Sequence, residues 1–182
     1  MKEIWAIINS MNQPIFFIPF LFLLLTSCAD RESAPMTKVN EVSRAAFNLP
    51  NLKGEYKNVD NYKGSYILIN FWATWCAPCV KEIPSFNNLY NKFKDEKKFK
   101  MIAINIGQSK EAVKKFLLDK SLPVEFTILL DEKMELSDWN VQAIPTTFLV
   151  DKKGKIIYKV EGEKEWDSNE FTSFFNSIIE QN

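Results

Sequence analysis

Two cysteines separated by two residues, in Trp72-Ala-Thr-Trp-Cys-Ala-Pro-Cys79, are the side chains of this chain best suited to chemistry. They stand where an apolar run, Tyr66-Ile-Leu-Ile-Asn-Phe71, gives way to apolar residues at helical spacing: Ile83, Phe86, Leu89, Tyr90 and Phe93. The run has the length and the β-branched and aromatic content of a buried strand, and the spacing after it predicts a helix over 80–94. The pair therefore lies where a strand becomes a helix. There the first backbone N–H groups lack helical partners and the dipole turns its positive end outward, so a thiolate on Cys76 is stabilised. Lowering a thiol from about 8.5 to about 7 needs roughly 2 kcal/mol of differential stabilisation, which a helix end and one hydrogen bond can supply. Pro78 suits the first helical turn, where a missing N–H costs nothing. Cys76 is expected to be the nucleophile of a redox pair, with Cys79 inside the first turn.

Two other uses of a cysteine pair fit less well. A zinc site needs about four Cys, His or carboxylate ligands at set spacings. This chain has no histidine, and its third cysteine, Cys28, lies in a different kind of segment, so no metal is expected. A purely structural disulfide gains little from closing so short a loop. Composition narrows the partners too. Lys+Arg and Asp+Glu both number 23, leaving no positive excess to follow a phosphate backbone, so nucleic acid is not an expected partner. The five glycines are scattered, with no phosphate loop. No cofactor is expected beyond a redox-active Cys76–Cys79 disulfide.

The 182 residues suffice for one domain after a leader. Residues 1–27 read as an export signal: Lys2 near the start, an apolar run from Pro14 to Leu25, then Thr26-Ser27 before Cys28. That run is nearer the length of a signal core than the roughly 20 residues that span a bilayer. Ile4 to Ile8 lengthen the apolar stretch, so an uncleaved anchor is the alternative. Leu25-Thr-Ser-Cys28 resembles the lipobox of bacterial lipoproteins, which implies lipid on Cys28 as the mature N-terminus. Either way the domain is exported to the cell envelope and held at a membrane, where a disulfide persists. Residues 28–42 are expected to be a tether and 43–182 the domain.

Within the domain, Phe47 to Gly54 and Tyr56 to Val59 predict a β-hairpin before the strand at Tyr66. Strands are expected over 100–106 and 126–130 with a helix over 109–120 between them, then a short helix over 132–140. A hairpin over 144–160 turns at Asp151-Lys-Lys-Gly154, and an amphipathic helix over 168–179 closes the chain. Alternating strand and helix mark parallel pairing through right-handed crossovers. Pro84 inside the first helix predicts a kink.

Taken together these residues resemble the thioredoxin fold, and more narrowly the TlpA/ResA family of exported, membrane-tethered thiol-disulfide oxidoreductases. The resemblance covers 47–181 and is carried by Asn70-Phe-Trp-Ala-Thr-Trp-Cys-Ala-Pro-Cys79, Lys81-Glu-Ile-Pro84 and Ala143-Ile-Pro-Thr-Thr-Phe-Leu-Val-Asp151. It implies an α/β fold: a central mixed β-sheet flanked by helices, an N-terminal β-hairpin, and a central helix-strand insertion over 108–131. It implies a cis Pro145 beside the cysteines, a minority state at X-Pro bonds generally. Substrate backbone would then pair near Ile144 and Pro145, and Trp75, Ala77 and Pro78 would surround the reactive sulfur.

Glu82 lies three residues after Cys79, so the two can share a helix face. Thioredoxins proper carry a buried Asp six residues before the first cysteine, where this chain has Asn70, which cannot exchange a proton. The resemblance gives that part to Glu82; a solvated acid beside Lys81 is the other reading. The family's activity implies a reductase of exported protein disulfides, for example of apocytochrome c, fed by a membrane thiol donor. An oxidase, an isomerase, and a binding module whose cysteines form an inert disulfide are the alternatives.

Overall fold

The computed structural model describes residues 34–40 and 43–181. Eight strands and three α-helices follow one another: β1 (Thr37–Lys38), β2 (Asn48–Pro50), β3 (Tyr56–Asn58), β4 (Tyr66–Trp72), α1 (Ala77–Phe93), β5 (Phe99–Ile106), α2 (Lys110–Asp119), β6 (Thr127–Asp131), β7 (Thr146–Val150), β8 (Ile156–Glu161) and α3 (Asn169–Glu180). Six strands form one sheet in the order β1-β8-β7-β4-β5-β6, and β2 and β3 form a separate hairpin. β4 runs parallel to β5 and antiparallel to β7, so both its edges are paired, and β6 extends the parallel side. This is the mixed sheet with an N-terminal hairpin and a helix-strand insertion, α2–β6, expected from the sequence.

Strand alternation divides the apolar residues between two cores. Leu68 and Trp72 join Phe86, Val113 and Phe175 in a cluster to which all three helices contribute. Ile67, Ile69 and Phe71 enter a second, with Phe47, Leu49, Trp139 and Phe148. Successive residues of β4 point to opposite faces, and both are covered, which is why this strand reads as a continuous apolar run. Ser109 and Ser168 cap α2 and α3 through their hydroxyls, satisfying N–H groups that have no helical partner. Pro84 lies inside α1, a single helix from Ala77 to Phe93.

Two segments differ from expectation. Residues assigned to the tether belong to the fold: Thr37 and Lys38 pair with Lys159 and Tyr158 at the sheet edge, and Met36 is buried. A two-residue strand offers no period to read. The helix expected over 132–140 is only a 3-10 turn at Ser137–Trp139. The buried Asp131 carboxylate takes the backbone N–H groups of Glu135 and Leu136, and Met134 and Asn140 have φ of 54° and 49°, which no α-helix accommodates. Among the described residues, no helix is long and apolar enough to cross a membrane.

Candidate active site

The end of β4 delivers the chain to a turn closed by the Cys76 N–H donating to Ala73 O at 3.2 Å. Cys76 is the N-cap of α1 and its Sγ accepts the Cys79 N–H at 3.3 Å. The sulfur thus occupies the place where an N-cap oxygen would satisfy an orphaned donor, and negative charge on it faces the positive end of the helix dipole. Cys76 and Cys79 are joined, with S–S 2.07 Å. Cys76 is 5% exposed and Cys79 1%, so the first cysteine is the less buried of the two. Ala77 and Pro78, the first helical residues, are exposed beside it.

On the other side of the pair stands the start of β7. The Ile144–Pro145 peptide bond is cis. Ile144 O lies 3.6 Å from Cys76 Sγ, and Pro145 O accepts the Gly162 N–H. Ile144 is half-buried, and Trp75, next to Cys76, is 69% exposed. An indole left largely in water is a large apolar surface beside the sulfur. Trp72, by contrast, is buried in the core.

Glu82 is not a solvated acid. It is 3% exposed, on the inner face of α1 one turn beyond Cys79. Three donors surround it: Asn70 Nδ2 gives to Oε1 at 2.8 Å, while Trp166 Nε1 at 3.0 Å and the Lys164 N–H at 3.1 Å give to Oε2. Asn70 is steadied in turn by its second bond, to Thr147 Oγ1 at 2.9 Å. Burial raises the Glu82 carboxyl from its ordinary 4.5 to about 7, the three hydrogen bonds opposing and the nearby Glu163 charge adding to the rise. A carboxyl that titrates near neutrality one helical turn from a cysteine pair is chemically able to exchange a proton when a thiol reacts.

The structure therefore brings Trp75, Cys76, Ala77, Pro78 and Cys79 at the start of α1 against Ile144 and Pro145 at the start of β7, with Glu82 one helical turn beyond Cys79. Cys28 lies outside the described residues. Sequence reasoning missed Trp166, Thr147 and the Lys164 N–H as partners of the acid cluster, and it missed Gln108, whose side chain holds Thr74 at 2.7 and 2.8 Å. Trp166 is 84 positions from Glu82, and no local pattern signals such a contact.

A thioredoxin-like sheet with a Cys-x-x-Cys pair at a helix N-terminus and a cis-proline beside it defines a thiol-disulfide oxidoreductase. The comparisons agree. Residues 42–159 match the AhpC/TSA family, and the chain belongs to that family. The thiol-disulfide oxidoreductase ResA of Bacillus thuringiensis subsp. konkukian is 38% identical over 119 residues, 65% of this chain and 67% of that protein. Among solved structures, a protein assigned as the thiol:disulfide interchange protein DsbE from Chlorobium tepidum superposes with a TM-score of 0.68 at 27% identity, covering 78% of this chain and 99% of that one. StoA from Bacillus subtilis superposes with a TM-score of 0.58 at 31% identity, covering 68% and 92%.

Proposed function

We propose that the protein is a reductase of disulfides in exported proteins, held at a membrane through lipid on Cys28 and facing the cell envelope. The observation that carries the thiol-disulfide exchange at the heart of this reading is the division of labour at the site: Cys76 caps the helix and is the less buried cysteine, and Cys79 lies deeper, one turn from a buried acid. Cys76 thiolate attacks a partner disulfide; a Cys76–partner bond forms, the partner's S–S bond breaks, and one partner sulfur leaves as thiolate and is protonated. Glu82 carboxylate then takes the Cys79 proton. The Cys79 thiolate attacks Cys76 Sγ, closing Cys76–Cys79 and releasing the partner's second sulfur. Two electrons pass to the partner, and the pair is left oxidised, as found here. A membrane thiol donor restores the dithiol.

Exposed Trp75, Ala77 and Pro78 and half-buried Ile144 frame the approach to Cys76, next to the buried cis Pro145, and an extended segment fits that surface best. Unfolded protein disulfides have that shape, and the haem-attachment Cys-x-x-Cys-His segment of apocytochrome c is one such substrate. The test is capture with Cys79→Ala, which stops the reaction at the mixed disulfide. Exported proteins joined to Cys76 are expected by mass spectrometry, with apocytochrome c among them. Capture of no exported protein would remove the reductase reading.

A further inference from the structure

We propose that Gln108 is a positioning residue of the redox centre: its side-chain amide clamps Thr74 and so fixes the turn that holds Cys76 over the start of α1. The bond pattern is reciprocal. Gln108 Oε1 accepts the Thr74 N–H at 2.8 Å, and Gln108 Nε2 donates to Thr74 Oγ1 at 2.7 Å. Thr74 and Trp75 are the two central residues of the turn that the Cys76 N–H closes on Ala73 O. One side chain therefore grips the turn by backbone and hydroxyl together, just before its exposed indole and its sulfur.

Gln108 can act as a clamp because it is itself fixed. The Gly107 N–H donates to Asp131 O at 2.9 Å, tying the end of β5 to the end of β6. On its other side Ser109 caps α2, its Oγ accepting the Ala112 N–H. The insertion α2–β6 thereby reaches the cysteines through this residue.

A second observation shows that the geometry serves the turn. Gln108 Oε1 must face the Thr74 N–H, because an amide NH₂ there would set donor against a backbone donor that cannot turn over. Asn105, fully buried on β5, is thereby obliged to donate to the same oxygen, at 3.1 Å. Its own Oδ1 is buried with no hydrogen-bond partner among the described residues. An unpaired buried acceptor is unfavourable, and such an exception calls for a reason. The reason here is the orientation that the Thr74 N–H imposes. A clamp holding the cap geometry keeps Cys76 Sγ aligned with the Cys79 N–H and the helix end, and the thiolate needs that alignment once the pair is reduced.

The inference rests on Cys76 as the attacking thiol, and the experiment separates the two. The pH profile of iodoacetamide alkylation is measured residue by residue on the reduced full chain, in wild type, Gln108→Ala, Thr74→Val and Thr74→Ser. With the clamp gone in Gln108→Ala, the neutral-pH rate at Cys76 is expected to fall roughly three- to tenfold as its midpoint moves up, the worth of one or two hydrogen bonds. Thr74→Val, which keeps the backbone half, should fall between, and Thr74→Ser, which restores the hydroxyl, should match wild type. A bond that served stability alone would lower the melting temperature and leave these profiles in place. Folded Gln108→Ala and Thr74→Val with wild-type profiles overturn the clamp while leaving Cys76 as nucleophile; should Gln108→Ala not fold, Thr74→Val decides. Wild-type protein alkylated first at Cys79 overturns the underlying assignment and the clamp with it.

Discussion

Replacing Glu82 by glutamine should remove a specific slope from the stability of this protein against pH. Glu82 is 3% exposed, and its carboxyl is raised from 4.5 to about 7 by burial. The folded state therefore binds this proton more tightly than the unfolded chain. Its contribution to stability is fully present below about 4.5, is lost as pH rises toward 7, and is absent above that. At about 1.36 kcal/mol per pH unit, the span amounts to about 3 kcal/mol. A glutamine fits the same cage when the Asn70 amide turns over. Its Nε2 then donates to Asn70 Oδ1, which also receives the Thr147 hydroxyl, while its Oε1 keeps the Trp166 and Lys164 donors. The assay is denaturant unfolding of the oxidised protein from pH 4.5 to 8, a state in which neither cysteine titrates. Groups common to both proteins cancel, so the stability of Glu82→Gln relative to wild type should grow by about 3 kcal/mol across that range. A difference that stays flat would show that Glu82 titrates as an ordinary carboxyl and would refute the reasoning.

Trp166→Phe removes one donor from Glu82 Oε2, so the carboxyl should titrate still higher; the midpoint of the same pH-stability curve, moved above that of wild type, reports it. Phe175 is fully buried between Phe93, Phe99 and Phe171, and Phe175→Ala should cost roughly 3–5 kcal/mol in the same unfolding assay. The mature, membrane-extracted protein should show by intact mass an N-terminus at a lipidated Cys28, and Cys28→Ala should leave the membrane fraction. An unmodified leader would exclude the lipid anchor.

The parts of this protein legible from sequence are those written within a few residues of one another. The apolar run of β4, the helical spacing of Ile83, Phe86 and Phe93, and the two-residue spacing of the cysteines each declare themselves locally and give the redox pair at a strand-to-helix junction, while the fold as a whole is legible through the family resemblance of these segments and of Ala143 to Asp151. Glu82 could be proposed from its spacing to Cys79, but its burial could not. The residues that bury and pair with it, Asn70, Lys164 and Trp166, come from β4 and from the segment between β8 and α3, converging only when the sheet forms. The same holds for Gln108 and Thr74, 34 positions apart. The segment after β6 misled for a physical reason: a buried aspartate side chain took over the backbone N–H groups that a helix would have used. Overall neutrality of the chain says nothing about any of these contacts.

The central claim is that Cys76 attacks and Cys79 resolves. The most direct measurement is a stoichiometric reaction of the reduced protein with a small aromatic disulfide, followed by released thiolate and by mass spectrometry of the cysteine peptides. The account predicts two thiolates per wild-type chain and a closed Cys76–Cys79 bond. For Cys79→Ala it predicts one thiolate and a stable adduct on Cys76, and for Cys76→Ala little reaction at neutral pH, because Cys79 is buried at 1% exposure. Rapid adduct formation on Cys79 in Cys76→Ala, at a rate comparable to that of Cys76 in Cys79→Ala, would contradict it.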